Sequence, residues 1–166
     1  MENPVIRRAK RSDAKDLLDL LNALARFEGL EPPDEGAKQR VVDDIFVKGR
    51  LGAFVAVAGA KRVGYALYFY SYSSFLGRPT LYLEDIFVLE EYRGRGIGSS
   101  LFRRCVREAH AKRCGRMEWA VLTWNHRAIN FYEKVGAKRL DDWFVYRLDS
   151  DQLEKIVEIG AAEHIR

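Results

Sequence analysis

The sequence predicts one α/β or α+β domain built on a mixed sheet, and three patterns carry that expectation. Apolar residues recur at helical spacing in several segments. Runs rich in Val, Tyr and Phe, of strand length, separate them. Midway, a strand runs into a glycine-rich turn that opens a helix. The composition permits such a fold: 166 residues, 48% hydrophobic and 12% aromatic with 4 prolines, can close around a single core. No repeat or linker divides residues 1–166, so a single domain is expected.

Each element follows from its local pattern. Residues 5–9 form a short strand. Ser12 or Asp13 can then cap a helix in which Leu17, Leu20, Leu21, Leu24 and Phe27 keep the 3.6 period, ending near Glu28-Gly29. Pro32-Pro33 breaks the chain before a weaker helical segment over residues 35–47. Residues 53–58 and 63–72 flank Gly59-Ala60-Lys61 as a hairpin, and a further strand, 80–89, follows Gly77-Arg78-Pro79. Beyond the glycine turn, Leu101, Phe102, Cys105, Val106 and Ala109 repeat at helical spacing to about Lys112. Residues 117–122 read as a strand, 125–134 as a helix closed by Val135-Gly136, 143–148 as a last strand and 151–165 as a short terminal helix.

Charge narrows the function. Lys and Arg number 28 against 24 Asp and Glu, a net +4, too small a surplus for a nucleic-acid binder but suited to an anionic ligand in one basic patch. No apolar run approaches the ~20 residues of a membrane span, and Met1-Glu2-Asn3-Pro4 lacks the apolar stretch of a signal peptide, so a soluble cytoplasmic protein is expected. Cys105 and Cys114 fall about half a turn out of phase on one helix, which excludes an intrachain disulfide. With His110, His126 and His164 dispersed, no metal-ligand spacing exists and no metal is expected.

The turn Arg93-Gly94-Arg95-Gly96-Ile97-Gly98 is built to hold phosphates. Glycines let the backbone approach an anion, and the N–H groups and dipole of the helix start favour it. The turn lacks the Gly-Lys-Ser/Thr of a nucleotide P-loop and the Gly-x-Gly-x-x-Gly spacing of a dinucleotide site. A plain strand-to-helix turn would not explain Arg93 and Arg95, whose guanidinium groups have no obvious packing purpose there.

This turn matches the (Gln/Arg)-x-x-Gly-x-(Gly/Ala) signature of the GNAT N-acetyltransferase superfamily, and the order of elements is also that superfamily's. More narrowly, the runs 69–75, 82–88, 92–98, 121–125 and 130–137 resemble the spermidine/spermine acetyltransferase subfamily with its diamine and thialysine relatives. The resemblance covers Ile6 to about Arg147. It implies a mixed, mostly antiparallel central sheet flanked by helices, acetyl-CoA as co-substrate, no metal, a small cationic amine acceptor and a homodimer.

The same resemblance assigns residues. Arg93, Gly94, Arg95, Gly96, Ile97, Gly98 and Ser99 would hold the coenzyme's pyrophosphate, and the backbone of Ile86, Phe87 and Val88 its pantetheine arm. Asn125, Ala128, Tyr132 and Lys134 would lie on the coenzyme side of the following helix. Periodicity alone makes Tyr132 a core residue; the resemblance makes it the general acid for the departing thiolate, with Asn125 both helix cap and coenzyme contact.

Glu84 and Asp85 are adjacent carboxylates in an apolar strand, so alternation sends them to opposite faces. They could be neutralised by basic residues on neighbouring strands. The resemblance instead gives Glu84 amine binding and deprotonation, and Asp85 a supporting role. Glu28 matches a position that touches the acceptor, in a stretch, 28–35, with four carboxylates in eight residues and no base. Ser73 and Phe75 are expected on that side, and Asp142 is the acid beside Trp143 near the last strand. Rival readings are acetylation of protein lysine or N-terminal amines, and a non-catalytic acyl-CoA sensor.

Overall fold

Each strand of the sheet pairs with its neighbour in sequence, giving the order β1-β2-β3-β4-β5. The structure, a computed structural model, describes residues 4–163. The chain falls into two compact units, Met1–Ala120 and Val121–Arg166. The first holds β1 (Val5–Arg8), α1 (Ala14–Glu28), α2 (Glu35–Phe46), β2 (Gly52–Ala58), β3 (Lys61–Ser73), β4 (Arg78–Val88), α3 (Ile97–Ala111) and β5 (Arg116–Glu118). The second holds α4 (His126–Lys134) and α5 (Ser150–Glu163). Strands β1 to β4 are antiparallel and β5 joins β4 in parallel, so the expected mixed, mostly antiparallel sheet is present.

Alternation along the strands sorts the core into two layers. On one face Leu17, Leu20 and Leu24 of α1 pack with Val55, Tyr65, Leu67 and Phe87. On the other, Phe54 stacks on Tyr68 at 5.3 Å, and the Arg104 guanidinium of α3 lies 4.2 Å over the Phe54 ring. Leu101, Phe102 and Cys105 bury the inner stripe of α3. The sheet is thus the middle layer between α1 and α3.

Asp13 ties the edge of this sheet to the start of α1. Its fully buried carboxylate accepts from Arg7 at 2.6 and 2.9 Å, from Arg62 Nε at 2.8 Å and from the Lys10 amide at 2.8 Å. One side chain therefore joins β1, β3 and the entry to α1. The Arg7 hydrogen bonds hold it well below the usual carboxylate range, overcoming the opposing effect of burial.

Two expected strands differ. The segment expected over 117–122 shortens to β5, which pairs only with Thr80–Tyr82 of β4. An irregularity in β4 just beyond Tyr82 bends that strand, and the parallel ladder ends before it. Residues 143–148 form no strand: Trp143, Phe144, Val145 and Tyr146 are exposed, and the other described elements of their unit are helices, which offer no ladder to join. The outermost residues of the expected terminal helix, 164 and 165, lie outside the described residues, as do Met1, Glu2 and Asn3. Cys105 and Cys114 are both free thiols.

Asp13→Asn leaves Arg7 without a counter-charge and Arg62 with only Asp16 at 3.4 Å, and should cost about 3 kcal/mol in urea denaturation at neutral pH. The folded carboxyl is more acidic than an unfolded one at ~3.9, so its contribution is complete above that value. As pH falls below about 4 toward the folded pKa, the gap between wild type and variant should narrow.

Candidate active site

An extra residue in β4 decides where the strand carboxylates point. Leu67 of β3 sits opposite Asp85 and Tyr68 opposite Leu83, so Glu84 has no partner of its own and bulges. Leu81 and Leu83 share a face with Tyr68 on the α3 side. Past the bulge the parity flips, and Asp85 and Phe87 share a face with Leu67 and Tyr65 on the α1 side. The expectation that Glu84 and Asp85 occupy opposite faces therefore fails: the bulge turns both toward α1.

There they join Glu28, the last residue of α1. The Tyr65 hydroxyl, on a fully buried ring, donates to Asp85 Oδ2 at 3.0 Å. Burial pushes Asp85 up to about 6, the Glu84 and Glu28 charges push the same way, and the Tyr65 hydrogen bond pulls against them. Burial also raises Glu28. Tyr65 itself is raised well above its ordinary value, first by burial and then by Asp85, so it stays a donor. No ion pair among the described residues involves Glu28, Glu84 or Asp85. Three carboxylates thus lie on this side of the sheet with no ion-pair partner among the described residues.

The glycine turn lies beyond the end of β4. Gly94 and Gly96 take φ of 79° and 75°, a left-handed conformation that favours glycine, and a Cβ at either would meet nothing within 4 Å. Open space beside a turn that leads into the unsatisfied N–H groups of α3's first turn fits the phosphates of a coenzyme. Ser99 is in that first turn. On the side of β4 away from β3, β5 covers only Thr80–Tyr82, so Ile86 to Val88 have no strand partner there.

Arg93 corrects the expectation that the turn's arginines have no packing purpose. Its guanidinium lies 4.6 Å over Phe27 and 5.3 Å over Phe87, and its Nε donates to the Val88 carbonyl at 2.9 Å. It fastens the turn to α1 and β4. Arg95 donates to the Glu91 carbonyl at 2.9 Å and lies over Tyr92.

In the second unit, Asn125 caps α4, accepting from the Ala128 amide at 3.2 Å. Tyr132 is half-buried, and burial pushes its phenol up to about 12. Lys134 is exposed in the last turn of α4, and Asp142 is exposed beyond that helix.

The sequence profile of the acetyltransferase (GNAT) family matches residues 15–137, a span that takes in the β4 carboxylates, the glycine turn and α4. The chain belongs to the GNAT acetyltransferase family. It is an N-acetyltransferase, and enzymes of this family use acetyl-CoA. A thialysine N-epsilon-acetyltransferase of Bos taurus is 35% identical over 164 residues, covering 92% of this chain and 96% of that one. A human spermidine/spermine N(1)-acetyltransferase-like protein is 30% identical over 159 residues, 89% of this chain but 23% of its own length. Among solved structures, an integron cassette protein from the mobile metagenome of V. cholerae superposes with a TM-score of 0.79 at 23% identity, covering 95% of this chain and 99% of that one.

Within this GNAT chain the structure gathers Glu28, Glu84 and Asp85 but leaves Ser73 and Phe75 apart. Ser73 lies six residues along β3 from Leu67, about 20 Å at the usual rise per residue. It is buried, its Oγ accepting from the Leu76 amide in the β3–β4 turn, and Phe75 is fully exposed at that tip. Tyr65 is the residue that sequence reasoning missed. Its signal was a tyrosine in a strand otherwise destined for the core, whose hydroxyl needs a partner. No three His, Cys, Asp or Glu side chains among the described residues are placed so that they could hold a metal ion together, and no described helix is long and apolar enough to cross a membrane.

Gly96→Ala should lower stability by about 1 kcal/mol in thermal denaturation, because alanine resists its left-handed backbone. Gly98→Ala should be near neutral, since its Cβ would meet only Val88 Cγ2 at an ordinary 3.9 Å. Tyr65→Phe should move the Asp85 carboxyl above its value of about 6, because the lost hydrogen bond favours the ionised form. A carboxyl-carbon NMR titration reads that shift.

Proposed function

We propose that this enzyme transfers the acetyl group of acetyl-CoA to the primary amine of a small cationic acceptor, by direct attack with both substrates bound. The observation that carries this reading is the face on which Glu28, Glu84 and Asp85 meet without a counter-ion. Similarity to thialysine N-epsilon-acetyltransferases supports a lysine-like side-chain amine, and similarity to a spermidine/spermine acetyltransferase-like protein supports a diamine or polyamine.

The coenzyme supplies an acetyl group already activated as a thioester. In this reading the first-turn amides of α3 and the turn 93–99 hold its phosphates, and the open edge at Ile86 to Val88 holds its arm. Family resemblance gives Asn125, Ala128 and Lys134 coenzyme contacts as well. Glu84, exposed at the bulge, and Glu28 receive the acceptor ammonium, and Asp142 adds negative charge to the acceptor's surroundings.

The amine must lose its proton before it can attack. Moving a proton from an alkylammonium at ~10.4 to an ordinary carboxylate at ~4.3 is uphill by roughly 8 kcal/mol. To Asp85, at about 6, the cost falls to roughly 6 kcal/mol. Deprotonation, which family resemblance gives to Glu84, is therefore shared with Asp85: Glu84 meets the amine and Asp85 takes up the proton. Tyr132, kept protonated by burial, is the acid that supplies a proton to the leaving sulfur.

Mixing the enzyme with acetyl-CoA and thialysine, diamines, polyamines or lysine peptides, while reading free thiol, should show fastest release with a small diamine or lysine-like amine. Release only with peptides would replace this reading with a protein acetyltransferase, and coenzyme binding without release would replace it with a sensor. Tyr132→Phe should lower kcat at least tenfold with little change in coenzyme affinity. Asp85 works as a base only when ionised, so kcat/KM should fall as pH drops through about 6, and Asp85→Asn should remove that limb.

A further inference from the structure

At the opposite end of α3 from the glycine turn lies an open depression of about 800 Å³. It is lined by Arg78 and Pro79 from the start of β4 and by His110, Ala111, Lys112 and Arg113 from the end of α3 and the turn after it. The 15 residues of α3 span about 22 Å, which separates this depression from the coenzyme loop. None of the ion pairs among the described residues involves Arg78, His110, Lys112 or Arg113.

Cations near a helix C-terminus offset its dipole, and that accounts for Lys112. It does not account for Arg78, which comes from another element, or for the backbone of Arg113. The turn closes with Arg113 N–H donating to the His110 carbonyl and Cys114 N–H to the Ala109 carbonyl, a geometry that needs a left-handed residue at 113 and ordinarily takes glycine. Every other described residue with positive φ is a glycine, whereas Arg113 holds φ of 53°. An arginine held in a conformation that ordinarily takes glycine, beside two more exposed cations without an ion pair around one open depression, points to an anion.

We propose that this depression binds a phosphorylated small molecule of nucleotide size. Arg78, Lys112 and Arg113 take its phosphate oxygens, with His110 as a further nitrogen ligand. Pro79 and Ala111 form an apolar wall for the organic part. The room is far more than a bare phosphate fills and lies within the range of small-molecule sites. The site is separate from the acetyl-transfer chemistry and does not depend on which amine is acetylated.

The test is calorimetric titration of ADP into the full chain saturated with CoA, so that the coenzyme loop is occupied. ADP should still bind, inorganic phosphate should compete at least fivefold more weakly, and Arg78→Gln/Arg113→Gly should weaken ADP at least tenfold while leaving CoA affinity unchanged. Glycine at 113 relieves the strained backbone, so the variant should melt no lower than wild type, and lost binding cannot be ascribed to unfolding. No ADP binding in the presence of CoA, or equal affinity in the variant, would overturn the proposal. So would phosphate binding as tightly as ADP, or a single-stranded oligonucleotide displacing ADP at lower concentration, which would make the surface one for nucleic acid.

Discussion

The one-residue bulge at Glu84 is the constraint on which the arrangement of the site depends. Side chains of a strand alternate strictly, so a single extra residue exchanges the faces of everything that follows it. Past Glu84, Phe87 enters the core with α1 and Asp85 follows it to the same side, under Tyr65. Without the bulge, Asp85 would fall on the α3 face, among Tyr68 and Leu83. The same feature bends β4 just beyond its short ladder with β5 and leaves the edge at Ile86 to Val88 open. An acidic face and an unpaired strand edge thus have a common cause.

Arg93 carries that arrangement into the glycine turn. Its guanidinium, between Phe27 and Phe87 and bonded to the Val88 carbonyl, fixes the turn to the end of α1 and the end of β4. Those two elements also supply Glu28 and Asp85. The glycine turn and the acidic face are therefore mounted on the same aromatic pair, and a charge of +4 spread over the chain resolves into two opposed regions. Asp13 has the complementary task at the other edge, where its arginine partners hold β1 and β3 to the start of α1.

Much of the fold was legible because it rests on local pattern. The stripe Leu17, Leu20, Leu24 became the buried face of α1, and Gly59-Ala60 closed the β2–β3 hairpin. Asn125 capped α4 as expected. The failures were non-local. Residues 143–148 have strand-forming side chains but no ladder in their unit, and β5 stops where β4 bends. Ser73 and Phe75 are close to the acidic residues in no sense that the sheet preserves, because β3 carries them about 20 Å away.

By itself the sequence determined the element order as far as α4, the glycine turn, and the presence of carboxylates in an apolar strand, since each depends on a few neighbouring residues. Only the tertiary structure decided that Glu84 and Asp85 share a face, that Tyr65 is the partner of Asp85, and that Arg93 is built into the packing. Those outcomes depend on the register between β3 and β4 and on what burial does to a carboxyl. Register and burial belong to segments brought together by folding, and no short stretch of sequence contains them.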